Sequence, residues 1–136
     1  MTTRATSGRP LSPHLQIWRF TATMAASITH RGTGIILYGG TMLLAAWLFF
    51  LEFHPPTFSA ITGFIKSPVG FIMLSGYIWA LCFHLMNGLR HLYWDSGRGL
   101  APKTATRTAW FVFIASFVLA AAALWAGVAA RGAFNV

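Results

Sequence analysis

The densest chemistry in this chain lies in Phe83-His84-Leu85-Met86-Asn87-Gly88-Leu89-Arg90-His91-Leu92-Tyr93-Trp94-Asp95, where two imidazoles, a guanidinium and a carboxylate close a long apolar run. From Val69 to Leu89 there is no Asp, Glu, Lys or Arg, and roughly 20 such residues, rising about 1.5 Å each, cross a hydrocarbon layer. His84 is therefore expected inside a membrane. Positions seven apart share a helix face, so His84 and His91 line up on one side, with His84 about 10 Å deeper. An ionisable residue at that depth marks a functional site by default, and a neutral imidazole without an anionic neighbour can ligate a metal, haem iron above all. A hydrogen bond from the same ring to a neighbouring helix is the competing reading, and this stretch alone leaves both open.

A second polar cluster, Ser27, His30 and Arg31, has spacings of three and four that gather it on one helix face. A serine hydroxyl can donate to a quinone carbonyl, and a nearby guanidinium can stabilise the negative charge that develops on reduction. Equally, Ser27 can return its hydroxyl to a backbone carbonyl, and Arg31 can snorkel to lipid headgroups.

The elements that must position these groups follow from composition. The chain has 136 residues, 56% of them hydrophobic and only 9% charged, which is too apolar for a soluble domain of this size. The net charge of +8 comes from ten Lys and Arg against Glu52 and Asp95. These basic residues flank apolar runs and form no patch interleaved with exposed aromatics, so the expected partners are anionic lipids and acidic protein surfaces and not nucleic acid. Cys82, the single cysteine, has no internal disulfide partner and reads as a small buried hydrophobe.

Residues 1–20 are polar and basic, carry Pro10 and Pro13, and lack the apolar core of a secretory signal. They read as an extended arm on a surface, before a single all-α membrane domain. A first helix is expected over about 21–53, its spanning part from Gly34, ended by His54-Pro55-Pro56. Thr57 to Ser67 reads as a connector, with an interfacial turn around Ile61, Phe64 and Ile65. The second helix is expected over about 68–93, stopped by Asp95-Ser96-Gly97-Arg98-Gly99. A basic loop over Pro102 to Thr108 precedes a third helix over about 108–130, Ala-rich and suited to close packing. Arg4, Arg9, Arg19, Arg31, Arg90, Arg98, Lys103 and Arg107 fall on one side of this topology, and Lys66 and Arg131 on the other. The excess predicts a cytoplasmic amino terminus. Both polar clusters then meet at the cytoplasmic face, so Ser27, His30, Arg31, His84, Arg90, His91 and Asp95 can surround one site. His54, at the opposite face, reads as an ordinary loop residue.

A membrane haem needs axial ligands and cationic or hydrogen-bonding partners for its propionates. His84 is deep enough for the iron, while His30, Arg31, Arg90 and His91 lie nearer the interface where propionates would point. No other histidine reaches the depth of His84, so a second axial ligand would have to come from a partner chain.

Three motifs in order, Arg9-Pro10-Leu11-Ser12-Pro13-His14, Ser27-Ile28-Thr29-His30-Arg31-Gly32-Thr33-Gly34 and His84-x-x-Asn87-Gly88-x-Arg90-His91-x-x-Trp94-Asp95, resemble the cytochrome b membrane-anchor subunits of succinate dehydrogenase, respiratory complex II. The resemblance spans nearly the whole chain, although the third span and the loop after Phe53 carry no family signature. It implies that His84 is an axial ligand of haem b iron, with the other ligand on a second membrane-anchor subunit. It further implies that Ser27 and Arg31 line a quinone pocket and that His30, with Arg31 and His91, lies on the propionate side. The implied assembly includes a flavoprotein subunit with FAD and an iron-sulfur subunit, sits in a bacterial inner membrane and reduces quinone, by resemblance ubiquinone. Succinate oxidation itself belongs to the partner subunits, since this chain has no dinucleotide fingerprint, no cysteine cluster and only two acids. A haem b anchor of another dehydrogenase and a non-catalytic membrane scaffold are the alternatives.

Overall fold

The computed structural model describes residues 18–133 and contains four helices, α1 (Ala22–Phe53), α2 (Pro55–Lys66), α3 (Pro68–Asp95) and α4 (Pro102–Ala133). The expected arm lies outside the described residues as far as position 17. Among the described residues there is no strand, and α1, α3 and α4 are each long and apolar enough to cross a membrane. The all-α fold with three spans is thus the one anticipated.

The polar segment 21–33 and the span from Gly34 form one continuous helix of 32 residues. At 1.5 Å per residue α1 is about 48 Å long against a hydrocarbon core of about 30 Å, so its ends reach the interfaces. Thr21 caps it, its hydroxyl accepting the Met24 N–H at 3.3 Å.

Two expectations need correction. The connector after Phe53 is itself a helix, α2, of 12 residues. Pro55 does end α1, because the residue before a proline is driven out of the helical region, and His54 sits at φ −151°, ψ 75°. Proline also suits the first turn of a new helix, where its missing N–H would have no partner anyway. His54 is accordingly the cap of α2, its Nδ1 accepting the Thr57 N–H at 3.3 Å, with the Thr57 hydroxyl at 2.7 Å. The second correction concerns Pro102 to Thr108, which is the start of α4 and not a loop. Pro102 again occupies the first turn, the Ala105 N–H reaches the Ala101 carbonyl at 2.9 Å, and the Thr106 hydroxyl donates to the Pro102 carbonyl at 2.9 Å. Lys103 and Arg107 therefore stand on helical turns.

Between α2 and α3 the chain turns at Ser67, whose hydroxyl accepts the Gly70 N–H at 3.2 Å. Gly70 is buried against the backbone of Phe64 and Ile65, where a Cβ would collide with the Phe64 carbonyl oxygen. At the other end of α3, Gly97 and Gly99 take φ of 76° and 74°, a region that side-chain-bearing residues seldom enter. The stop anticipated there is present.

The three long helices meet around Ala26 of α1, Phe83 of α3 and Ala109 and Val112 of α4. Small residues at the contact let backbones approach, as expected where neighbouring lipid is as apolar as the helix itself. Trp79, Phe83, Phe113 and Phe117 continue the seam, their rings 5.0 to 5.5 Å apart. Most other large apolar side chains are exposed, Ile35 at 74% and Trp125 at 76% among them. An aqueous surface would not tolerate so continuous an apolar belt.

Candidate functional site

α1 and α3 bring three imidazoles into one stack. The His30 ring lies over that of His84 with centroids 3.9 Å apart and planes inclined by 14°, and over that of His91 at 5.2 Å and 29°. His84 and His91 share a face of α3 because seven residues are nearly two turns, and His30 projects from α1 between them. Rings stacked face to face direct their lone pairs outward in parallel planes. They cannot converge on one ion, and among the described residues no group of three or more His, Cys, Asp or Glu is placed to hold a metal. Each ring could offer a metal at most one nitrogen.

His84 has a defined seat on α1. Its Nδ1 lies 3.3 Å from the Thr33 hydroxyl, and Thr33 is 2% exposed. Gly34 completes the seat, since a Cβ there would stand 3.3 Å from His84 Cε1, closer than most side chains are found. With the ring face covered by His30 and Nδ1 occupied by Thr33, Nε2 has no hydrogen-bond partner among the described residues. His91 is held differently, its Nδ1–H donating to the Asn87 carbonyl at 2.8 Å on its own helix. His30 Nδ1 is buried without a partner, which is costly in an apolar surrounding unless a further polar group joins it. These features fit a b-type haem: an open imidazole nitrogen at depth for the iron, and an unsatisfied polar atom beside it for a polar substituent.

Ser27 lies one turn before His30 on α1 and Arg31 directly follows it, Ser27 half-buried and Arg31 exposed. Ser75, Ser96 and Ser116 all donate to carbonyls three or four residues back. No such bond engages the Ser27 hydroxyl among the described residues, although backbone satisfaction was its simplest alternative role.

Arg90 departs from the expected arrangement. Its guanidinium turns toward α4 and away from the imidazoles, with Nε donating to the Thr108 hydroxyl at 3.1 Å and Nη2 to the Ala105 carbonyl at 3.0 Å. Nη1 donates to Asn87 Oδ1 at 3.3 Å, and the group lies 3.9 Å above the Trp94 ring. Arg90 is 5% exposed and clamps α3 to α4. Its place in the sequence puts it near the polar face, but three acceptors and an aromatic face supplied by α4 and by Asn87 and Trp94 of α3 hold it elsewhere. Asp95 is likewise outside the site, exposed at the last residue of α3. Sequence reasoning gave Thr33, Gly34 and Asn87 no role of their own. The only signal for them was their place inside the two motifs.

Residues 5–123 match the family described as succinate dehydrogenase/fumarate reductase transmembrane subunit. The chain is similar to the succinate dehydrogenase cytochrome b556 subunit of Paracoccus denitrificans, 41% identical over 112 residues that cover 82% of this chain and 86% of the relative. It is 35% identical over 111 residues to the cytochrome b556 subunit of Rickettsia felis, with the same two coverages of 82% and 86%. The mitochondrial cytochrome b560 subunit of Sus scrofa is 38% identical over 113 residues, covering 79% of this chain and 65% of that longer relative.

Proposed function

Because this chain belongs to the succinate dehydrogenase/fumarate reductase transmembrane-subunit family, we propose that it is the haem b-binding membrane anchor of a bacterial succinate:quinone oxidoreductase. In this reading it sits in the inner membrane with its amino terminus cytoplasmic. It pairs with a second anchor subunit and lies beneath an iron-sulfur subunit and an FAD-containing flavoprotein. Succinate is oxidised in those partners, and this chain helps form the place where ubiquinone receives the electrons.

The observation that carries the reading is the seat of His84, with Nδ1 engaged by Thr33 and Nε2 free on a helix that spans the membrane. His84 would hold the iron, with a further ligand supplied by the second anchor subunit. His30, Arg31 and His91 would face the propionates. When bound, haem b supplies a one-electron redox centre near the quinone. Ser27 would donate to a quinone carbonyl oxygen, and Arg31 would stabilise the charge that collects there on reduction. Both act without leaving α1, which holds them rigidly one turn apart.

The test is His84→Leu in the complete complex. The reduced-minus-oxidised b-type spectrum should be lost or altered, while electrons from succinate still reach an artificial acceptor at the soluble subunits. An unchanged spectrum in the assembled variant would overturn the ligand assignment.

A further inference from the structure

We propose that Thr33 is a positioning residue that fixes the tautomer and ring plane of His84, so that Nε2 carries the lone pair for the iron. The proposal rests on the reading of His84 as the axial ligand. The direction of the bonds follows from elementary donor and acceptor rules. The Thr33 hydroxyl is 2.9 Å from the His30 carbonyl oxygen, which can only accept, so its one proton is committed there. The same oxygen is 3.3 Å from His84 Nδ1 and can only accept from it. His84 therefore carries its proton on Nδ1, and in the neutral ring Nε2 is the bare nitrogen. Had the hydroxyl donated to Nδ1 instead, the proton would sit on Nε2 and block ligation.

This bond is also the one side-chain hydrogen bond between α1 and α3 among the described residues. It joins the backbone at His30 to the ring of His84 and so couples the polar cluster of the first helix to the nitrogen donor of the third. Gly34 leaves the ring room to lie flat against α1. A hydrogen bond from the non-ligating N–H raises the basicity of a metal-bound imidazole. A more basic imidazole favours ferric over ferrous iron, so the hydroxyl should hold the haem potential down.

The experiment uses the purified four-subunit complex carrying Thr33→Val, Thr33→Ser or His84→Leu. Haem content, the reduced spectrum, the midpoint potential and the electron paramagnetic resonance of the ferric haem are compared. Thr33→Val keeps the shape and loses the acceptor. It should retain a low-spin b haem yet raise its potential, changing the ferrous-to-ferric ratio at a fixed ambient potential by about two- to tenfold, the reach of one neutral hydrogen bond. Thr33→Ser, which keeps the hydroxyl, should restore the wild-type value. If Thr33→Val fails to assemble, Thr33→Ala, which removes bulk and does not add it, takes its place with the same expected shift. Wild-type potential and resonance in Thr33→Val or Thr33→Ala, beside an altered spectrum in His84→Leu, would overturn the role of Thr33 and leave the ligand assignment standing. An unaltered spectrum in His84→Leu would overturn both.

Discussion

Two histidines at opposite ends of the bundle, His54 and His84, have the same side chain and opposite protonation patterns. His54 Nδ1 accepts from the Thr57 N–H, a group that can only donate, so its neutral form carries the proton on Nε2. Its task is local, closing the first turn of α2 from three residues away. His84 Nδ1 meets a hydroxyl 51 residues distant in the chain, whose own proton is committed, and is left with Nε2 as the bare nitrogen. The contrast extends to the surroundings. His54 is exposed and bonds within its own turn, whereas His84 is half-buried and bonds across helices to the buried Thr33. A histidine becomes a candidate ligand through what occupies its other nitrogen.

The largest effect should come from the polar end of α1. In the proposed quinone site, Ser27→Ala and Arg31→Leu would each remove one contact aimed at developing negative charge, worth about 2 to 4 kcal/mol of barrier, hence on the order of a hundredfold in quinone reduction if that step limits. Succinate-to-quinone turnover measured beside artificial-acceptor turnover on the same membranes decides it. Equal losses in the two assays would mean failed assembly, and full quinone turnover would return both residues to simple anchoring.

A smaller effect is expected at Arg90, where the same end of the bundle is held together. Arg90→Ala strands the buried Asn87 amide oxygen and removes the bonds that tie α3 to Thr108 and Ala105 of α4, and should cost about 2 to 3 kcal/mol of stability. The check is thermal inactivation of the assembled complex. Arg90→Lys should rescue little, since an ammonium cannot reproduce the fork and the stacking on Trp94. Retention of full stability would show that α3 and α4 do not depend on this clamp.

The smallest effect belongs to His54. Replacing it by Ala removes a helix cap and should cost about 1 kcal/mol, with the haem spectrum unchanged. A spectral change on that substitution would erase the contrast between the two ends.

How much of this was legible beforehand differs by element. The spans, the shared faces of Ser27, His30 and Arg31 and of His84 and His91, and the glycine stop after Asp95 were readable because they rest on local quantities: apolar length, helical period and backbone freedom. The same locality misled at Pro55 and Pro102, where proline reads as an interruption although it can equally begin a helix. Which way Arg90 turns, which ring His30 covers and which atom meets His84 Nδ1 depend on groups that arrive from other helices, across 18, 54 and 51 positions of chain. The chain alone therefore determined which polar residues the spans carry and which helix faces they share. Only the packing of α1 and α4 against α3 decided which guanidinium became a clamp and which hydroxyl meets His84 Nδ1, because hydrogen-bond partners in a membrane must be found within the protein.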